Sequence, residues 1–299
     1  MKKTNLFSGV GTALVTPFSG GLVDYAALSD LIELQIEEGV DALIIGGTTG
    51  EAATLSDGER YALFEFARER IAGRVKMILG TGTNDTRVAK MHAKRAEEIG
   101  CDGLLLVTPY YNKGTEEGIT RHYLSIAEEV SLPIILYNVP SRTGVNLGFG
   151  VLDRLSREEN IVGIKEASDS ADRLTELAKY GDELSLYAGN DSQVYSVLAL
   201  GGKGVISVAS NILPKTIRRI YESFVSGRSD ESRAVQIALL PFIKALFAET
   251  NPSPIKAIMA ERALLPTDEV RLPLAPPRDS TKDALKKTLK ELSLLGYKD

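Results

Sequence analysis

Short, continuous apolar runs recur along the chain: Gly11–Val15, Ala42–Ile45, Lys76–Leu79, Gly103–Val107, Ile134–Tyr137, Ile161–Ile164, Leu184–Tyr187 and Gly204–Val208. They are bounded by Gly, Pro or Thr, they lack polar alternation, and several are rich in Ile and Val. Runs of that kind suit strands buried on both faces, as in a parallel sheet covered by helices. Between them the period changes to the helical one. Leu28, Leu31, Ile32, Gln35 and Ile36 form a stripe opposite Asp30, Glu33 and Glu37. Ser56-Asp57-Gly58-Glu59 reads as a capping box opening the next helix. Further helical patterns cover Thr86–Ile99, Glu116–Val130, Ser170–Tyr180, Gln193–Leu200 and Pro214–Ser226.

Eight strand signals alternating with helices predict an α/β protein, a (β/α)8 barrel with one βα unit per repeat. A doubly wound open sheet fits less well, because the first run ends in Thr16-Pro17-Phe18 rather than in a Gly-rich phosphate turn. After Ser226 the strand signal stops. Ile237, Leu240, Ile243 and Phe247 form one helical stripe, with Pro241 expected to kink it. Ile255, Ile258 and Met259 form a second, a proline-rich loop spans Leu265 to Arg278, and a charged helical stretch runs from Ser280 to Leu294. The expected division is a catalytic barrel over 1–226 and a helical appendage over 227–299.

Composition narrows the chemistry. The net charge of −5 supplies no basic field for nucleic acid or an anionic membrane. No apolar leader and no run long enough to span a bilayer occur, so a cytoplasmic protein is expected. One cysteine, Cys101, and two histidines, His92 and His122, are too few for a dedicated Cys or His metal centre. No metal site of the chain's own is therefore expected.

Chemistry in such barrels collects where strands end, at the C-terminal face. Lys165, after Ile161-Val162-Gly163-Ile164, emerges from a buried strand into the barrel mouth. Desolvation there favours the neutral amine that attacks a ketone to form a Schiff base. By position alone the commoner reading is a lysine snorkelling to solvent. Tyr137 ends the neighbouring run, so its phenol is a candidate proton carrier beside that amine. Gly46-Gly47-Thr48-Thr49-Gly50 offers clustered N–H groups and two hydroxyls suited to a carboxylate, or is simply a strand-to-helix turn. Arg142 is a candidate partner for a second carboxylate. Tyr110-Tyr111 reads as a packing patch or an interface anchor. Gly201-Gly202-Lys203-Gly204 precedes the last run and reads as a tight turn rather than a phosphate loop. Cys101 and His92 lie away from strand ends and read as structural.

Together, Gly47-Thr48-Thr49-Gly50-Glu51, the Tyr137 segment and Gly163-Ile164-Lys165-Glu166, in that order, resemble the pyruvate-dependent class I aldolase superfamily of dihydrodipicolinate synthases and N-acetylneuraminate lyases. The resemblance runs from Gly9 to Lys256. Within it, Thr48-Thr49, Pro109-Tyr110-Tyr111-Asn112 and Val139-Pro140-Ser141-Arg142-Thr143-Gly144 are similar to the synthase branch rather than to the sugar-acid lyases. The resemblance implies that Lys165 condenses with pyruvate to an imine, whose enamine attacks aspartate 4-semialdehyde, and that no metal or organic cofactor is needed because the imine is itself the electron sink. It implies that Thr48, Thr49 and the Ile206 backbone hold the pyruvate carboxylate, and that Arg142 holds that of the aldehyde. Tyr137, Thr48 and Tyr111 would form a proton relay, with Tyr111 reaching in from a neighbouring subunit of a homo-oligomer, a tetramer or a dimer. A catalytically silent barrel would be expected to lack Lys165 or Tyr137.

One departure bears on regulation. Lysine-inhibited synthases hold the end product in an interface pocket whose matching positions here are Ala52, Ala53, Asp57, Arg60, Asn84, Val88 and Tyr110. Val88 stands where such enzymes carry a glutamate, so feedback by lysine is expected to be weak or absent.

Overall fold

The computed structural model describes residues 3–297. Eight parallel strands close into a barrel: β1 (Gly9–Ala13), β2 (Ala42–Ile45), β3 (Lys76–Gly80), β4 (Gly103–Val107), β5 (Ile134–Asn138), β6 (Ile161–Glu166), β7 (Ser185–Ala188) and β8 (Gly204–Ser207). Each strand pairs with the next, and β8 returns to β1 through Gly9↔Gly204 and Thr12↔Ser207. The strands bury both faces, which is why they read as unbroken apolar runs. One face lines the barrel interior, where Phe7, Ile44, Ile78, Leu105, Ile135, Tyr187 and Ile206 pack together. The other meets the surrounding helices.

Those helices start where polar residues can cap them. Asp24 caps α1 (Tyr25–Glu37), and the Ser56–Glu59 capping box opens α2 (Asp57–Ile71) as expected. Asp85, Thr115 and Ser170 cap α3 (Thr86–Ile99), α4 (Glu116–Ala127) and a later helix at Ala171–Leu177. The sequence pattern does not predict a small hairpin pairing Phe18–Ser19 with Leu22–Val23, a helix at Phe149–Leu155 or the short helix Pro140–Thr143.

Two boundaries differ from the sequence pattern for a physical reason. The first strand begins at Gly9 rather than Gly11, because the ladder to β8 starts there; Leu14 and Val15 are buried beyond its end. The sixth strand includes Lys165 and Glu166 instead of stopping before them. Both residues pair on each side, with Tyr137 and Asn138 on β5 and with Tyr187 and Ala188 on β7. An apolar run reports burial, whereas pairing sets the strand.

The chain after the barrel forms three helices, Ser229–Leu246, Ser253–Glu261 and Asp279–Leu294. The first continues through Pro241. Its buried stripe is Val235, Leu239, Phe242 and Leu246, while Ile237 of the expected stripe is 64% exposed. The helix carries two apolar stripes, and packing against the barrel selects one. Among the described residues no helix is long and apolar enough to cross a membrane.

Candidate active site

Register brings the central pair together. Tyr137 and Lys165 are direct partners on β5 and β6, so their side chains share the interior face. Lys165 Nζ stands 4.2 Å from the centroid of the Tyr137 ring, and both side chains are almost wholly buried. Glu166, one residue on, faces the other way. There it accepts from Asn138 Nδ2 at 2.9 Å, from Arg173 Nε at 2.9 Å and from the Ser168 amide at 2.9 Å. The buried carboxylate and guanidinium thus pair in the barrel–helix layer through Nε and hold the end of β6 in place, while Arg173 Nη2 is buried without a partner among the described residues.

A carboxylate not singled out in the sequence lies within electrostatic reach of Lys165. Asp191, wholly buried, accepts from Ser207 Oγ at 2.5 Å and from the Val208 and Ala209 amides at 3.0 and 3.1 Å. Burial raises its carboxyl above the ordinary range; the Ser207 hydroxyl, the two amides and the Lys165 charge oppose this. An isolated Asp gives no sequence signal, because its importance comes from the ends of β7 and β8 converging.

Above the strands opens a cavity of about 470 Å³, walled in part by Gly47, Thr48, Tyr137, Arg142 and Asn251. The loop after β2 turns into it through Gly46, whose φ of 65° a larger residue would resist. A Cβ on Gly46 would meet the Phe64 ring at 2.6 Å, and one on Gly80 would meet the Gly46 carbonyl oxygen at 2.2 Å. The glycines therefore let the loop lie over the barrel mouth. Thr48 lines the cavity; Thr49 is buried, its Oγ1 accepting from Asn251 Nδ2 at 2.9 Å. Arg142, from the short helix Pro140–Thr143, donates through Nη2 to the Asn251 carbonyl at 3.0 Å. Ile206 is fully buried in the interior cluster that also holds Tyr137.

Tyr111 stands apart. It is 89% exposed with a left-handed φ of 67°, and Tyr110 rather than Tyr111 lines the cavity of its own chain. The cavity also extends past Ala52, Ala53, Arg60, Val88 and Tyr110. Arg60 donates there to the Gly80 and Ala52 carbonyls, and burial lowers its guanidinium from the ordinary arginine value. Cys101 is buried, its thiol pushed up to about 12 by desolvation, and His122 is held down to about 4 by the same cause. Gly201 has a positive φ of 84° in the turn before β8.

The sequence pattern of the dihydrodipicolinate synthetase family matches residues 6–292. The 4-hydroxy-tetrahydrodipicolinate synthase of Geotalea daltonii is 45% identical over 97% of this chain and 100% of its own. The dihydrodipicolinate synthase structure from Thermotoga maritima superposes with a TM-score of 0.94 at 41% identity, covering 97% of this chain and 100% of that one. The 4-hydroxy-tetrahydrodipicolinate synthase structure from Methylacidiphilum fumariolicum gives 0.93 at 41% identity, covering 97% and 98%.

Proposed function

The chain belongs to the dihydrodipicolinate synthetase family, and from that premise we propose that it is a Schiff-base lyase condensing pyruvate with L-aspartate 4-semialdehyde to 4-hydroxy-tetrahydrodipicolinate. This is the branch step toward diaminopimelate and lysine. One observation carries the reading: a buried lysine, Lys165, sits against Tyr137, and Tyr137 lines a cavity that also presents Thr48 and Arg142.

The Lys165 amine attacks C2 of pyruvate, and loss of water leaves an imine. The imine withdraws electrons, so a methyl proton leaves and an enamine forms. Enamine carbon attacks the aldehyde, forming the new C–C bond, and the aldehyde oxygen takes a proton. The amino group brought by the semialdehyde then attacks C2, closes the ring and releases Lys165. Each step moves a proton at one small locus, a task suited to the Tyr137 phenol with the Thr48 hydroxyl beside it. Thr48, Thr49 and the Ile206 backbone hold the pyruvate carboxylate, and Arg142 holds that of the semialdehyde. Tyr111, exposed on its own chain, completes the relay from a neighbouring subunit of a homo-oligomer. The catalyst is the barrel of 1–226, with 227–299 as its helical appendage, working in the cytoplasm.

Borohydride trapping tests the mechanism. Pyruvate with borohydride is expected to inactivate the enzyme and to add the reduced pyruvate mass to the Lys165 peptide. Label on another lysine, or none, removes the mechanism. Faster cleavage of a sialic or keto-deoxy-sugar acid than condensation of semialdehyde removes the substrate assignment.

A further inference from the structure

The post-barrel segment enters the cavity's framework at two points. Asn251, in the turn before the helix Ser253–Glu261, donates from Nδ2 to Thr49 Oγ1, and its carbonyl accepts from Arg142 Nη2. The loop carrying Thr48 and the helix carrying Arg142 therefore share one anchor, on a residue of neither. Its Oδ1 is buried without a partner among the described residues.

Lys256, one turn into that helix, is completely buried. It donates from Nζ to the Thr16 carbonyl at 2.9 Å and to Glu51 Oε1 at 2.8 Å, and lies 4.3 Å from the centroid of the Phe18 ring. Glu51 closes the Thr48–Thr49 loop. Its side chain is as buried as that of Lys256, and its Oε2 accepts from the Arg271 amide at 2.9 Å. Its own backbone is left-handed, with φ 54°, and its amide donates to the Thr48 carbonyl at 3.1 Å. A non-glycine residue holds such a backbone only where its surroundings fix it. The charges of Glu51 and Lys256 leave water only because each faces the other. Hydrophobic residues could fill that volume, but they would not tie Glu51 to the Thr16 carbonyl through one ammonium.

We propose that Lys256 and Asn251 are positioning residues: they fix the Thr48–Glu51 loop and Arg142 relative to each other, and so set the spacing at which the two substrate carboxylates are held. This rests on the reading that the loop receives pyruvate and Arg142 the semialdehyde. Neither residue touches substrate in this account. Lys256 acts through Glu51, and Asn251 acts through Thr49 and Arg142.

Two full-length variants test it. Lys256→Met combined with Glu51→Gln removes both buried charges together, so the chain is expected to fold with its melting transition close to wild type. The loop then loses its tether. The pyruvate KM is expected to rise at least about fivefold, as for a lost positioning hydrogen bond, while kcat falls less and Lys165 is still fully trapped by borohydride at saturating pyruvate. Asn251→Ala leaves the ion pair alone, keeps the backbone carbonyl that accepts from Arg142 and removes the Nδ2 donor to Thr49, so it is expected to raise the pyruvate KM; it carries the test should the double variant not fold. An unchanged pyruvate KM in the double variant or in Asn251→Ala overturns the proposal. Wild-type enzyme that fails to trap pyruvate at Lys165 overturns the functional reading beneath it, and the proposal with it.

Discussion

Arg142 illustrates how much a single side chain is asked to do here. Its guanidinium spends one donor on the Asn251 carbonyl and keeps others for the cavity that Arg142 lines. Only a planar fork with several N–H groups can anchor itself and still grip a carboxylate. Losing that grip costs about 1.5–3 kcal/mol. Arg142→Ala is therefore expected to raise the KM for aspartate semialdehyde about tenfold or more, while imine formation with pyruvate persists. Steady-state kinetics alongside borohydride trapping checks both halves, and equal loss of pyruvate binding would remove the role. Lys165 depends on its neighbours in a different way: its position comes from pairing with Tyr137 and Tyr187 on either side. The residue type was legible in the sequence, as was the end of a buried run. Its inclusion in the strand was not, because that depends on partners 28 and 22 residues away in the chain.

At the scale of elements, strand ends and the loops that leave them carry the chemistry, and the loop after β4 separates two adjacent tyrosines. Tyr110 turns into the cavity, while the left-handed backbone at Tyr111 sends that side chain out to 89% exposure. A bulky residue in that conformation is costly and persists where something repays it. A second subunit's active site would supply that compensation by receiving the phenol. Tyr111→Phe is expected to cut turnover while leaving the fold intact, and dilution to monomer is expected to abolish activity. Sedimentation velocity combined with activity measured over the same concentrations decides it; a fully active monomer would end the idea. The helices follow a simpler logic. Thr86–Ile99 has the bounds its pattern predicts, because Asp85 caps its start and Gly100 its end. By contrast, Ser229–Leu246 carries two apolar stripes, and of the one that periodicity selected Ile243 is buried whereas Ile237 and Phe247 are exposed.

For the molecule as a whole, regulation is the question that the cavity raises. The space walled by Thr48 and Tyr137 continues to Arg60, Val88 and Tyr110. A lysine ligand there would bring an ammonium beside a guanidinium that burial already disfavours, with an apolar Val88 where a carboxylate is needed. An ammonium placed without a partner loses several kcal/mol of solvation. Asp57, whose side chain is 59% exposed, offsets only a screened part of that cost. Millimolar L-lysine is accordingly expected to leave the initial rate almost unchanged; inhibition below that range would show that Val88 does not decide the matter.

The sequence by itself determined the barrel, the order of its strands and the identities of Lys165, Tyr137, Thr48 and Arg142 as candidates, because burial on both strand faces and glycine-rich turns leave periodic and compositional marks. Tertiary structure alone decided which of those residues meet. It paired Tyr137 with Lys165, brought Asp191 toward the amine, and put Asn251 and Lys256 of the helical tail into the barrel mouth. The reason is physical. Hydrophobic patterning is local and survives in any window of the chain, whereas ladder register and buried ion pairs join residues as far apart as Glu51 and Lys256, whose two charges become tolerable only after the chain has closed around them.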